Sequence, residues 1–115
     1  MNKLTFKIAE SLWEICIVPV NSPELLVDGA SCNGATWFTL QKIYISSDVP
    51  KQSAKRVIVH ELVHAYIYAT QMRIPDKLTE EEVCDFFGCW GYSIIETADW
   101  LFERLYCSID RIERR

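Results

Sequence analysis

One stretch limits what this chain can become. Residues Val57 to Ala69 read V-I-V-H-E-L-V-H-A-Y-I-Y-A, with no Gly or Pro to interrupt a helix. Apolar side chains fall on nearly every face, which predicts a helix buried in a core. The polar exceptions are His60, Glu61 and His64, with the hydroxyls of Tyr66 and Tyr68. Buried polar and charged groups are costly unless something pairs with them. His60 and His64 lie four apart, so they project from one helical face, and Glu61 stands on its neighbouring edge. Two imidazoles and a carboxylate at H-E-x-x-H spacing supply what a zinc site needs. Two histidines scattered over such a chain fall four apart in roughly 2% of cases, and a Glu after the first makes coincidence rarer still.

The 115 residues allow one domain, 1–115, with a single core. Half of them are hydrophobic, which excludes a disordered chain. The formal charge of −4 argues against nucleic acid or an anionic membrane as the partner. Lys3, Lys7 and Glu10 leave the N-terminus without the apolar core of a signal peptide. No apolar run approaches the ~18 residues of a membrane span. A cytoplasmic location is therefore expected. The cysteines, Cys16, Cys32, Cys84, Cys89 and Cys107, are odd in number and form no C-x-x-C pair, so they are expected to be reduced and buried.

Leu4-Phe6-Ile8 alternates as a strand does. The cluster Leu12-Trp13 and Ile15 to Val18 fits either a strand or the end of a short helix, and Pro19 and Pro23 close the segment in a loop. Asp28-Gly29 and Asn33-Gly34 are turn signals. Ala35 to Ser46 reads as strand, turn, strand, an antiparallel hairpin just before the H-E-x-x-H helix. Pro50 fits the first turn of that helix, with Asp48 or Ser53 as its cap, and Pro75 stops it beyond about Gln71 or Met72. Thr79-x-x-Glu82 is a capping box that opens a second helix. Val83, Phe86, Phe87, Trp90, Ile94 and Ile95 form its expected core face, and Gly88 and Gly91 allow close approach of another helix. A third helical pattern follows from Thr97, with Ala98, Leu101, Phe102, Leu105, Ile109 and Ile112. The fold class is thus α+β: a small, mostly antiparallel sheet on the H-E-x-x-H helix, a glutamate helix and a C-terminal helix.

Catalytic zinc takes three protein ligands and leaves a fourth position open. His60 and His64 supply two, while Glu61 in this motif faces the metal's water as general base. The chain contains no third histidine, so the last ligand must be a carboxylate, a cysteine or a group from outside. Glu80, Glu81 and Glu82 stand together at the start of the next helix. Glu82 is drawn back into the capping box. Glu81 has Asp85 one turn on, where a carboxylate can accept the free ring N–H of a ligating histidine. Glu81 is the choice, with Glu80 and Glu82 as alternatives.

His60-Glu-Leu-Val-His64 followed by Glu81-Glu-Val-Cys-Asp85-Phe-Phe-Gly88 resembles the gluzincin metallopeptidases. In the thermolysin-like members a ligand Glu is followed four residues later by Asp and then by an apolar-Phe-Gly run. The resemblance gives Glu81 the ligand role and Asp85 the role of orienting a ligand. It covers residues 57 to 88, and the short chain looks most like the minigluzincins and the small phage-borne or ImmA/IrrE-like metallopeptidases. It implies a peptide or protein substrate held in extended form along an edge strand, a place that only Ala35 to Ser46 can fill. It also implies an oxyanion donor, for which Tyr66, Tyr68, Tyr92 and Tyr106 are the available residues.

Two further readings use the same residues. Peptide deformylases pair H-E-x-x-H with an upstream cysteine, as Cys32 is here, but their glycine-rich and glutamine motifs are missing. Cys84 shares a face with Glu81 and is a soft donor that would favour a structural zinc site. A binding or regulatory module that kept the metal scaffold is the alternative function, although such a module has no use for a base at Glu61.

Overall fold

The alternating N-terminal segment makes a hairpin. A computed structural model of the chain describes residues 2–71 and 78–107. β1 (Lys3–Ile8) and β2 (Ser11–Val18) pair antiparallel, turning at Ala9, whose φ is +51°. The cluster that sequence left open between strand and helix is therefore strand. Leu26–Val27 and Ala30–Ser31 form a small separate hairpin, β3 and β4. Asp28 and Gly29 both have positive φ at its tip, as the turn signal predicts. β5 (Gly34–Trp37) and β6 (Lys42–Ser46) are antiparallel, and β6 runs parallel to β2. The sheet order is β1-β2-β6-β5, so β5 is an edge strand.

α1 spans Lys51–Ala69 and carries the H-E-x-x-H sequence. Pro50 occupies its N-cap without a side-chain bond. Asp48 does not cap, because its carboxylate accepts from Ser46 Oγ at 2.6 Å, and Ser53 lies inside the helix. α2 (Glu80–Phe86) begins with the full capping box: Glu82 N donates to Thr79 Oγ1 at 3.1 Å and Thr79 N donates to Glu82 Oε1 at 3.0 Å. A π turn over Phe87–Gly91 leads into α3 (Tyr92–Phe102), and a second π turn follows over Glu103–Cys107. Phe87, Gly91, Tyr92 and Glu103 all hold right-handed helical angles. The second and third helical segments are thus one rod. Pro75, Ile109 and Ile112 lie outside the described residues.

The rod runs antiparallel to α1. Lys55 pairs with Asp99 at 3.0 Å and sits over the Phe102 ring, while Tyr66, three turns later, reaches Thr97 and Trp90. One core fills the space between the sheet and the helices. Phe6, Ile8, Trp13, Ile15, Ile43 and Ile45 face Ile58, Leu62 and Ala65 of α1 and Phe86, Ile94, Ala98 and Leu101 of the rod. On the other sheet face Tyr44 is buried, with Trp37 edge-on at 5.9 Å.

Three expectations about packing are corrected. Val83, Phe87 and Ile95 are exposed rather than core, because the rod touches the rest of the chain along one stripe. The π turn adds a residue to the helical period and so rotates the stripe of Ile94, Ala98 and Leu101 away from Val83 and Phe87, while Ile95 simply lies about 100° round from Ile94. A Cβ added at Gly88 would meet nothing within 4 Å, so among the described residues no helix closes on it. The five cysteines are free thiols, but none is fully buried, and Cys84 and Cys89 are exposed. Among the described residues, no helix is long and apolar enough to cross a membrane.

Candidate active site

The period of α1 divides its motif between two environments. Ile58, Leu62 and Ala65 point into the core and are completely buried. Glu61 is buried too, at 6% exposure, but on the flank under β5. His60 and His64 lie further round and are exposed, contrary to the buried helix expected from composition. The reason is that the sheet ends at β5, a strand of four residues, and leaves this flank of α1 uncovered. The two imidazoles face one another edge-on with ring centroids 5.1 Å apart. Glu61 Oε2 lies 4.0 Å from His60 Nε2.

β5 holds the carboxylate. Thr36 Oγ1 donates to Glu61 Oε1 at 2.7 Å and lies 3.3 Å from the Glu61 carbonyl oxygen. A Cβ at Gly34 would stand 3.0 Å from Glu61 Cγ, 3.1 Å from Val57 Cγ1 and 3.2 Å from Glu61 Oε2. Gly34 is therefore the first residue of a strand that α1 approaches closely, not the turn glycine that Asn33-Gly34 advertises. Thr36 gave no signal in the sequence. Its role follows from strand register, which places Gly34 and Thr36 on the α1 side, and Ala35 and Trp37 on the other.

The strand and the helix run in the same direction. Gly34 meets Val57 and Glu61, Thr36 meets Glu61, and the Phe38 ring stands 6.4 Å from His64 and 5.3 Å from Tyr68. Two strand residues, about 6.8 Å, advance at nearly the rate of one helical turn, about 5.4 Å. Ser46 N donates to Asn33 O at 2.9 Å. The alternation of an antiparallel ladder then turns the N–H and C=O groups of Gly34 and Thr36 away from β6, toward the open edge. Beside that edge is a cleft of about 300 Å³, lined by Cys32, Asn33, Gly34, Arg56, Val57, His60 and Glu61.

The acidic residues expected to complete the centre are elsewhere. Among the described residues, no group of three His, Cys, Asp or Glu side chains comes together as a metal site. Glu80, Glu81, Cys84 and Asp85 are exposed on α2, and Glu82 is engaged by the cap. The antiparallel rod explains this. Trp90 is level with Tyr66, so Glu81, nine residues earlier, lies about 13 Å of helical rise further on, past the end of α1. His60 and His64 are therefore a two-imidazole donor set. Exposed on one face, beside a held carboxylate, they suit a borderline ion such as zinc.

Of the tyrosines considered as oxyanion donors, Tyr66 is buried against Thr97 and Trp90, and Tyr106 stacks on Phe102. Tyr92 is exposed on the rod. Tyr68 is one turn beyond His64 and shares Phe38 with it, so it is the tyrosine nearest the histidines by ring contact. Comparison of the chain with protein-family models, with curated proteins and with solved structures finds no match.

Proposed function

We propose that this protein is a zinc-dependent peptidase, with His60 and His64 as metal ligands and Glu61 as general base. Glu81 as third ligand, with Asp85 orienting a ligand, requires α2 to move from its place past the end of α1 to the level of the histidines. The observation that carries the reading is a buried Glu61 carboxylate in a cleft between the H-E-x-x-H helix and a strand with an open edge. Burying a carboxylate is costly, and Thr36 satisfies one of its oxygens. The other, Oε2, is on the His60 side and is the atom that would receive a proton. An extended peptide laid along β5 gains main-chain hydrogen bonds from Gly34 and Thr36, and its carbonyl comes over the same flank of α1. Bound zinc supplies Lewis acidity, which polarises a carbonyl and makes a water more acidic. Tyr68 is the tyrosine we assign to the developing oxyanion. Free thiols and the acidic charge fit a cytoplasmic setting.

Metal analysis and peptide cleavage by the wild-type and Glu61→Gln proteins test the proposal. The wild type is expected to bind about one zinc per chain. Glu61→Gln is expected to keep the zinc and lose about 100-fold or more in kcat. A wild-type protein without zinc at neutral pH ends the proposal.

The distance between α2 and the histidines favours a second reading, a metal-scaffold module that binds a partner without cleaving it. Zinc binding with no Glu61-dependent cleavage of any peptide would select it.

A further inference from the structure

Among the described residues the cleft holds one permanent cation, and the proposed chemistry does not use it. Arg56 lines it one helical turn before His60, on the same flank of α1. Its neighbour Lys55 points the other way and is committed to Asp99 and Phe102 of α3. Among the described residues the only carboxylate lining the cleft is Glu61, already bonded to Thr36. Among the described residues no ion pair involves Arg56. In a chain of net charge −4, the end of the cleft beyond His60 is therefore positive.

We infer that Arg56 selects substrates bearing a carboxylate about two residues from the bond over His60, and so determines specificity at this cleft. The inference rests on the peptidase reading and takes its register from the parallel course of β5 and α1. Along an added strand, side chains return to the α1 side every second residue, about 6.8 Å, while Arg56 precedes His60 by about 6 Å of helical rise. A residue over His60 thus has its next same-face neighbour over Arg56, at the level of Cys32 and Asn33. The planar guanidinium offers a fork of donors matched to a carboxylate. That carboxylate could belong to an Asp or Glu side chain or to the end of a peptide.

The test uses the full zinc-supplemented chain carrying Glu61→Gln, so that binding is read without cleavage. Fluorescent short peptides, neutral except for one Glu, Gln or Lys moved along the sequence, are titrated by anisotropy with the C-terminus free or amidated. At one position the Glu peptide is expected to bind about three- to five-fold tighter than the Gln peptide at low salt, and less so at high salt. Adding Arg56→Gln should remove the preference, and Arg56→Glu should turn it toward Lys. A preference that survives amidation assigns the carboxylate to a side chain, and one lost on amidation assigns it to the chain end. Equal binding of Glu and Gln peptides, a preference unchanged in Arg56→Gln, or no measurable peptide binding overturns the inference. Cleavage by the wild type without an acidic preference overturns Arg56 alone. An Arg56-dependent preference in a protein that cleaves nothing overturns the peptidase reading alone.

Discussion

The two halves of the expected metal centre differ in how they are held. On α1, His60, Glu61 and His64 are grouped by the helix itself, and β5 adds Thr36 and Gly34 around the carboxylate. On α2, Glu81 and Asp85 are equally well placed on their own helix, behind a complete capping box, yet lie past the end of α1. A helical period brings residues of one helix together at no tertiary cost. Bringing two helices level needs packing, and the packing here is between α1 and α3. The lesson is that a motif confined to one element is a stronger structural statement than one split between two.

The sharpest way to break this contrast is to compare zinc affinities. His64→Ala is expected to abolish zinc binding at micromolar metal, and Glu81→Ala to lower affinity by about 100-fold, both measured by competition with a chelating dye. Unchanged affinity in Glu81→Ala would move the third ligand elsewhere and leave the α1 half standing alone.

The next effect concerns which residues hold the helices in place. Leu62→Ala should cost about 2–5 kcal/mol in urea unfolding, since the side chain is wholly enclosed. Val83→Ala, on the exposed side of α2, should stay within about 0.5 kcal/mol. A large loss at Val83 would mean that α2 packs on something, and would bring the two halves closer.

Thr36→Val leaves Glu61 Oε1 without its donor, and kcat is expected to fall about tenfold with zinc retained. If zinc were lost as well, Thr36 would be supporting the whole flank rather than the carboxylate. The smallest effect is expected from Thr79→Ala, which removes the cap of α2 for about 1 kcal/mol of stability. Its influence on zinc affinity reports directly whether α2 takes part in the centre.

Much of the fold was legible beforehand because its signals are local. The hairpin before α1, the Asp28-Gly29 turn and the capping box follow from alternation, turn chemistry and helix punctuation, while α1 ends at Ala69, short of the expected Gln71 or Met72. The misreadings share one cause. The apolar wrap of α1 predicted burial all round, but exposure was set by where the sheet stops, and it stops at β5. Gly88 and the apolar Val83 and Phe87 looked like a packing face, but the π turn rotates the rod's stripe away from them, whereas Gly91 is buried and Ile95 faces out beside the buried Ile94.

By itself, then, the sequence determined an α+β chain with H-E-x-x-H on one helical flank and an acidic, capped helix start downstream, because each depends on residues within a few positions. Tertiary structure alone decided that Glu61 is buried while both histidines are exposed, that Thr36 and Gly34 are its neighbours, and that Arg56 borders the same cleft. Those outcomes depend on the register of β5 against β6 and the direction of β5 along α1, long-range relations that no local period encodes.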